Sequence, residues 1–162
     1  MKQILPEDRE KIDHWVKKFP TPKGAVLMAL RIMQDRHNWL PDEAIDAVAE
    51  YLGMSKREVY EVVSFYSMYR RRPGGKHYLK ICTSLSCCLT GAHDVISYLE
   101  DKLSIQNGQT TKDQKVTLME TECLGACQSA PVALVDDHEY IENLTKESVD
   151  QLVNRLQGRS DE

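Results

Sequence analysis

Tyr78-Leu79-Lys80-Ile81-Cys82-Thr83-Ser84-Leu85-Ser86-Cys87 is the stretch on which the reading of this chain turns; Cys123-Leu124-Gly125-Ala126-Cys127 answers it after 35 intervening residues. Tyr78–Cys82 reads as a strand that runs into a loop, and Val116–Glu120, with Val116, Leu118 and Glu120 alternating, reads as a second. Between them Ala92–Leu103 has the helical period, with Val95, Ile96 and Leu99 on one face. A strand, a helix and a second strand predict a right-handed parallel crossover. Both cysteine pairs then emerge at the same edge of the sheet, where α/β folds place their ligands.

Downstream, Val132–Val135 reads as a third strand and Glu139–Glu142 as a fourth, joined by an Asp136-Asp137 turn. Thr145 caps a last helix with Val149, Leu152, Val153 and Leu156 inward and Gly158 at its end. The order β-α-β-β-β-α suits an α/β sandwich of thioredoxin type. Upstream, Pro73-Gly74-Gly75 breaks the pattern and predicts a boundary between residues 1–72 and 73–162. Residues 6–70 read as four short helices. The first buries Ile12, Trp15, Val16 and Phe19. The second, from about Pro22 to His37, buries Val26, Ala29, Leu30 and Met33. The third is opened by Pro41 and closed by Gly53. The fourth starts at a capping box, Ser55 with Glu58, and turns Val59, Val62, Val63 and Tyr66 inward. The fold class is thus mixed α+β or α/β: a four-helix segment, then the cysteine-bearing domain.

The chain has 162 residues, 41% hydrophobic and 28% charged, a globular balance. Residues 1–72 carry 13 Lys/Arg against 11 Asp/Glu, and residues 73–162 carry 8 against 14. The acidic second half argues against a grip on phosphate backbones. Met1–Glu10 lacks the apolar region of a signal peptide. The longest fully apolar stretch, Ala25–Leu30, is far short of the about 20 residues that cross a bilayer. A soluble protein of a reducing compartment is expected, where clustered cysteines point to metal or redox chemistry.

Cys82, Cys87, Cys123 and Cys127 are the candidate ligands of one site. A 2Fe–2S cluster is favoured over structural zinc, which uses tighter knuckles and staples domains without a core, and over disulfides. Gly125 supplies a positive φ that lets backbone N–H groups face sulfur. A helix beginning at Gly91-Ala92 brings its positive end near the site. Cys88 is the spare thiol, since adjacent side chains diverge. The histidines (His14, His37, His77, His93, His138) share no ligand spacing, and His93 is the nearest to the cysteines.

No dinucleotide fingerprint, phosphate loop or nucleophile–base arrangement occurs. A one-electron carrier of this kind does no bond chemistry itself, so substrate turnover falls to another subunit. The competing class is a DNA-binding redox sensor: Leu52-Gly53-Met54-Ser55 before a helix mimics a helix-turn-helix, and Arg70-Arg71-Arg72 with Lys76 is basic. Glu58 and Glu61 on the supposed recognition helix argue against it. A stand-alone ferredoxin would not need the helical segment.

Trp39–Ile45 (W-L-P-D-E-A-I), Val62–Tyr66 (V-V-S-F-Y), the Cys82–Cys87 spacing, Asn107–Thr111 (N-G-Q-T-T) and Glu122–Val132 (E-C-L-G-A-C-Q-S-A-P-V) together resemble one family nearly end to end. It is the family of small thioredoxin-like 2Fe–2S subunits, the E subunits, of NADH:quinone oxidoreductase (respiratory complex I). The resemblance implies that Cys82, Cys87, Cys123 and Cys127 ligate one 2Fe–2S cluster, the cofactor of this chain. It implies a partner subunit carrying FMN, NADH and a further cluster, an electron passing between flavin and the small subunit, and docking through the N-terminal helices. Direct membrane insertion and nucleic-acid binding are not implied. The location would be cytoplasmic, peripheral at the inner membrane if assembled in complex I. The same pattern serves the diaphorase modules of NAD-linked hydrogenases and formate dehydrogenases. Cys88 departs from the pattern, where histidine is commoner.

Overall fold

The computed structural model describes residues 4–158. The chain divides into two compact units, Met1–Pro73 and Gly74–Glu162. The ends of the two expected segments, residues 1–3 and 159–162, lie outside the described residues.

The first unit holds α1 (Pro6–Val16), α2 (Val26–His37), α3 (Asp42–Leu52) and α4 (Lys56–Phe65), with a short 3₁₀ turn at Pro22–Ala25 ahead of α2. Ile12, Leu30, Ile45, Val48 and Val59 are fully buried in one core. Each such side chain stabilises the unit by roughly 1.5–3 kcal/mol relative to exposure. Gln34 is a fully buried polar residue of this unit. Its amide donates to the Met68 carbonyl at 3.0 Å and its oxygen accepts from the Arg70 N–H at 2.7 Å, so both ends are satisfied. The capping box is present: Ser55 Oγ accepts from the Glu58 N–H at 3.3 Å, and Glu58 Oε2 accepts from the Ser55 N–H at 2.8 Å. Lys23 donates to the Glu58 carboxylate at 2.8 Å, and this bond first, with the Ser55 donors next, holds its pKa down to about 2.

Four readings of this unit need correction. α1 ends at Val16, so Phe19 leaves the apolar face and is exposed, ahead of Pro20, which cannot continue a helix. The second helix begins at Val26, because Pro22–Ala25 winds as 3₁₀. Pro41 is the N-cap of α3, with extended ψ of 151°, and Asp42 takes the first helical position. Tyr66 ends α4 in an extended conformation and is exposed, leaving Val59 and Val63 as its buried face.

The second unit holds β1 (His77–Cys82), α5 (Leu85–Leu89), α6 (Ala92–Leu103), β2 (Val116–Thr121), β3 (Ala133–Val135), β4 (Glu139–Ile141) and α7 (Lys146–Gln157). The sheet order is β2-β1-β3-β4. β1 and β2 are parallel, β3 is antiparallel to β1, and β4 to β3. Leu79, Ile81, Val116 and Leu118 alternate onto one face and meet Val95, Ile96 and Leu99 of α6 and Leu152, Val153 and Leu156 of α7. The β3–β4 turn places Asp136 and Asp137 at φ of 50° and 63°. Their carboxylates reach back to the central strand. Asp136 accepts from the Tyr78 N–H at 2.8 Å, and Asp137 pairs with the buried Lys80 ammonium at 2.5 Å. These contacts fix β3 and β4 against β1, the strand that carries the first cysteine.

Candidate functional site

Cys82 is the last residue of β1 and lies opposite Thr121, the last of β2. The end of β1 is held on both sides, by the end of β2 and by the residue ahead of β3. The Thr83 N–H donates to the Thr121 carbonyl at 2.8 Å, and the Cys82 N–H donates to the Val132 carbonyl at 3.0 Å. Parallel pairing therefore delivers Cys82 and, two residues past Thr121, Cys123 to the same edge of the sheet.

Cys87 sits on α5, a short helix that periodicity does not predict in what reads as a loop. Cys82 and Cys87 are 3% and 2% exposed and pack with Ala92 and Val132, flanked by Leu124, Ala126 and Ala130. Burial pushes the Cys82 thiol up, but N–H groups of Ser84 and Leu124 and the Cys87 thiol outweigh it, so Cys82 lies below the ordinary thiol range. Cys87 goes the other way. Burial raises it first, Cys82 adds to the rise, and so does charge at Cys127, against one N–H donor, Val132. The pair thus has a preferred first thiolate, Cys82, which the neighbouring thiol supports.

Cys123 and Cys127 are exposed on the loop after β2, which turns at Gly125 with φ of 73°. Cys127 opens a 3₁₀ turn, Cys127–Ser129, and is near enough to Cys87 to act on its charge. All five thiols are free. The structure thus brings Cys82 and Cys87 together, sets Cys127 near Cys87, and leaves Cys123 exposed on the same loop. Among the described residues no group of three His, Cys, Asp or Glu side chains is gathered as a ready metal site. The donor set nonetheless suits an iron–sulfur cluster: two buried thiols with backbone N–H donors beside them, and two on a loop that leaves the same sheet edge and turns at Gly125.

Cys88, although next to Cys87, turns away from it. Its sulfur donates to the Thr83 carbonyl at 3.1 Å and lies 3.4 Å from His93 Nε2. Gly91, at φ of 97°, caps α6, which starts at Ala92 beside the buried thiols. Sequence patterns did not reveal Tyr140 of β4. Its hydroxyl donates to the Leu124 carbonyl at 3.0 Å, inside the second cysteine loop. Nothing in spacing or periodicity marks such a contact.

Two arginines of the basic run are engaged within the first unit. Arg70 is buried with Nε donating to the Asn38 carbonyl at 3.0 Å. Arg71 pairs with Asp42 at 3.5 Å and lies over the Tyr60 ring, 5.2 Å from its centroid. Glu61, on the supposed recognition helix, pairs with Arg57 on the same exposed face. That face is mixed in charge, unlike a reader of phosphate backbones.

Residues 12–157 match the family described as thioredoxin-like 2Fe-2S ferredoxin, and the chain belongs to that family. The E subunit of NADH-quinone oxidoreductase from Rickettsia bellii (strain RML369-C) is 40% identical over 147 residues, 88% of this chain and 87% of that protein. Its counterpart from Escherichia coli (strain K12) is 38% identical over 153 residues, 94% of this chain and 92% of that one. The solved structure of an NAD+-reducing NiFe-hydrogenase in the air-oxidized state superposes with a TM-score of 0.70 at 22% identity. This chain matches it over 82% of its own length but spans only 23% of the hydrogenase chain, so the likeness is one of fold.

Proposed function

We propose that this chain is the electron-carrying E subunit of an NADH:quinone oxidoreductase, with Cys82, Cys87, Cys123 and Cys127 holding one 2Fe–2S cluster. When bound, that group accepts and returns single electrons without making or breaking bonds in a substrate. The observation that carries the reading is the parallel β1–β2 pair, with Cys82 facing Thr121 across the sheet and Cys123 two residues beyond. Homology to the E subunits over most of the chain supports the parent enzyme.

The chain's own residues would work as follows. Cys82 and Cys87 would anchor the group among the apolar side chains of Ala92 and Val132, and Cys123 and Cys127 would close over it from the outer loop. N–H groups of Ser84, Leu124 and Val132 stabilise negative charge on the buried sulfurs, favouring the reduced state. The acidic surface of residues 73–162 opposes this. Turnover of NADH requires FMN on a partner subunit of the same complex, and the helices of residues 1–72 are the docking segment for that partner. No helix of the described residues is long and apolar enough to cross a membrane. Attachment at the cytoplasmic face of the inner membrane then comes through the rest of the complex.

The diaphorase subunit of an NAD-linked hydrogenase is the second reading, favoured by the fold likeness to the hydrogenase chain. Anaerobic purification under native promoter control decides between them. About two irons and two sulfides per chain, an S = 1/2 EPR signal on reduction, and a co-purifying flavoprotein are expected. Quinone-reductase subunits in the same fraction support the first reading and hydrogenase subunits the second. A colourless zinc-loaded chain overturns both.

A further inference from the structure

The two longest stretches of this chain without Asp, Glu, Lys or Arg are residues 81–93 and 123–135, 13 residues each in a chain that is 28% charged. Each holds one cysteine pair, and both lie in the acidic half. Charge is missing where the stretches meet solvent as well as where they are buried: Leu85, Leu89, Thr90, Cys123, Cys127 and Gln128 are all exposed. The two stretches pack on each other, with Cys82, Cys87, Ala92 and Val132 in one buried cluster and Leu124, Ala126 and Ala130 against it.

α5 adds apolar side chains to this surface. Leu85 and Leu89 stand two residues either side of Cys87, about 200° around the helix from it, so they face outward where Cys87 faces inward. They are 73% and 79% exposed, and their i, i+4 spacing puts them on one face. The nearest charged residues along the chain, Lys80 and Asp94, are each five positions away. Charged residues are depleted at the centre of a protein–protein interface and kept at its rim. A carrier that meets its partners transiently relies instead on charge to steer the encounter. The cysteine end of this unit has the first character and lacks the second.

We propose that the uncharged surface made by α5 and the 123–128 loop is a permanent docking face for the flavin-bearing subunit of the same enzyme, with Leu85 and Leu89 as its anchors. The proposal rests on the reading of the chain as an E subunit. The occupant follows from what lies beneath the surface. Electrons enter and leave the proposed cluster by the shortest way through its cover, and α5 is that cover on the Cys87 side. A subunit seated on the two leucines comes within one helix diameter, about 10–12 Å, of the Cys87 side chain. It also covers Cys123 and Cys127, which the chain by itself leaves exposed. A second copy of this chain would bury the same leucines but bring no electron donor to them.

The test uses the full iron-loaded chain and the FMN-carrying, NADH-oxidising subunit of the same organism's quinone reductase. The parent is compared with the double variant Leu85→Ser, Leu89→Ser and with Leu89→Lys, which keeps an apolar stem and brings a charge to the face. Lys112→Ser is the control, an exposed change ahead of β2, at the other end of that strand from the cysteine loop. Iron content, metal-free melting, oligomeric state, affinity for the flavoprotein and reduction of the EPR signal by NADH are measured. Affinity is read at about 0.15 M and about 1 M salt. The parent is expected to bind equally at both. Both leucine variants should keep the parent's iron and melting, bind about tenfold or more weakly, and be reduced by dithionite but no longer by NADH. Lys112→Ser should match the parent. Parent-level binding by both leucine variants overturns the proposal, as does a parent affinity that falls steeply with salt. Loss of iron from both leucine variants overturns it too, because the leucines then retain the cluster and do not seat a partner. So does a parent dimer that the variants split while flavoprotein binding stays unchanged. A parent chain that binds no iron fails the functional reading itself, which is a separate outcome.

Discussion

Cys82 and Cys87 are built into the interior at the end of a central strand, whereas Cys123 and Cys127 are exposed on a loop that a single glycine bends. The first pair packs together, with burial and the neighbouring Cys82 raising the Cys87 thiol while backbone N–H groups outweigh burial at Cys82 and hold it below the ordinary thiol range. The second pair has no such enclosure. Half of the site is therefore formed by folding, and the other half is left free to close on whatever the first half holds. Such a division suits a centre that must be loaded after the sheet has formed, because the strands and α6 do not wait for metal to find a core.

The division is sharpened first by serine at the buried pair. Cys87→Ser should abolish or sharply weaken iron binding, and it should also lower the stability of the metal-free chain by about 1–3 kcal/mol, since a hydroxyl costs more to bury than a thiol among Ala92 and Val132. Urea unfolding of the metal-free protein reads this, and undiminished stability breaks the comparison. Gly125→Ala comes next. An added Cβ meets nothing within 4 Å, so the cost is confined to the backbone at φ of 73°. About 1 kcal/mol is expected from that left-handed conformation, together with weaker iron retention. Smaller still on the metal-free chain are Cys123→Ser and Cys127→Ser. Iron binding is weakened or lost, but unfolding should move by less than about 0.5 kcal/mol, as at other exposed positions. A large loss of metal-free stability there shows that the outer pair is structural after all.

The same contrast governs how much could be read in advance. β1, β2 and α6 carry regular apolar periods of 2 or 3.6, and α6 spans Ala92–Leu103 in the sequence reading and in the structure alike. The capping box at Ser55 is equally local and equally legible. α5 is not: Leu85-Ser86-Cys87-Cys88-Leu89 is too short for a helical repeat, and Leu85 and Leu89 are 73% and 79% exposed. Phe19 and Tyr66 continue an apolar spacing past the last turn of their helices, and spacing alone does not say where a turn stops. For the site, the cysteine spacing names the candidate ligands. It does not tell which are buried, because that follows from the Cys82–Val132 and Thr83–Thr121 bonds across the sheet. The contact from Tyr140 to a backbone carbonyl belongs to the same class: a long-range bond to a group that every residue possesses.

The smallest effect is expected at Cys88, and it tests the comparison where the two thiols are adjacent. Consecutive residues on a helix point about 100° apart, so with Cys87 turned into the pocket Cys88 must face elsewhere. Its sulfur donates to the Thr83 carbonyl and approaches His93, and the residue is partly exposed. Removing a weak S–H donor costs below about 1 kcal/mol, and alanine returns part of that through its better helix propensity, within about 0.7 kcal/mol. Cys88→Ala should therefore match the parent in metal-free stability, iron content and visible absorption. Thr83 is only half-buried, so water can replace the sulfur at its carbonyl. If Cys88→Ala instead loses all its iron and colour, Cys88 is a ligand, α5 must rotate on loading, and the buried thiol at Cys87 is not the anchor of the centre.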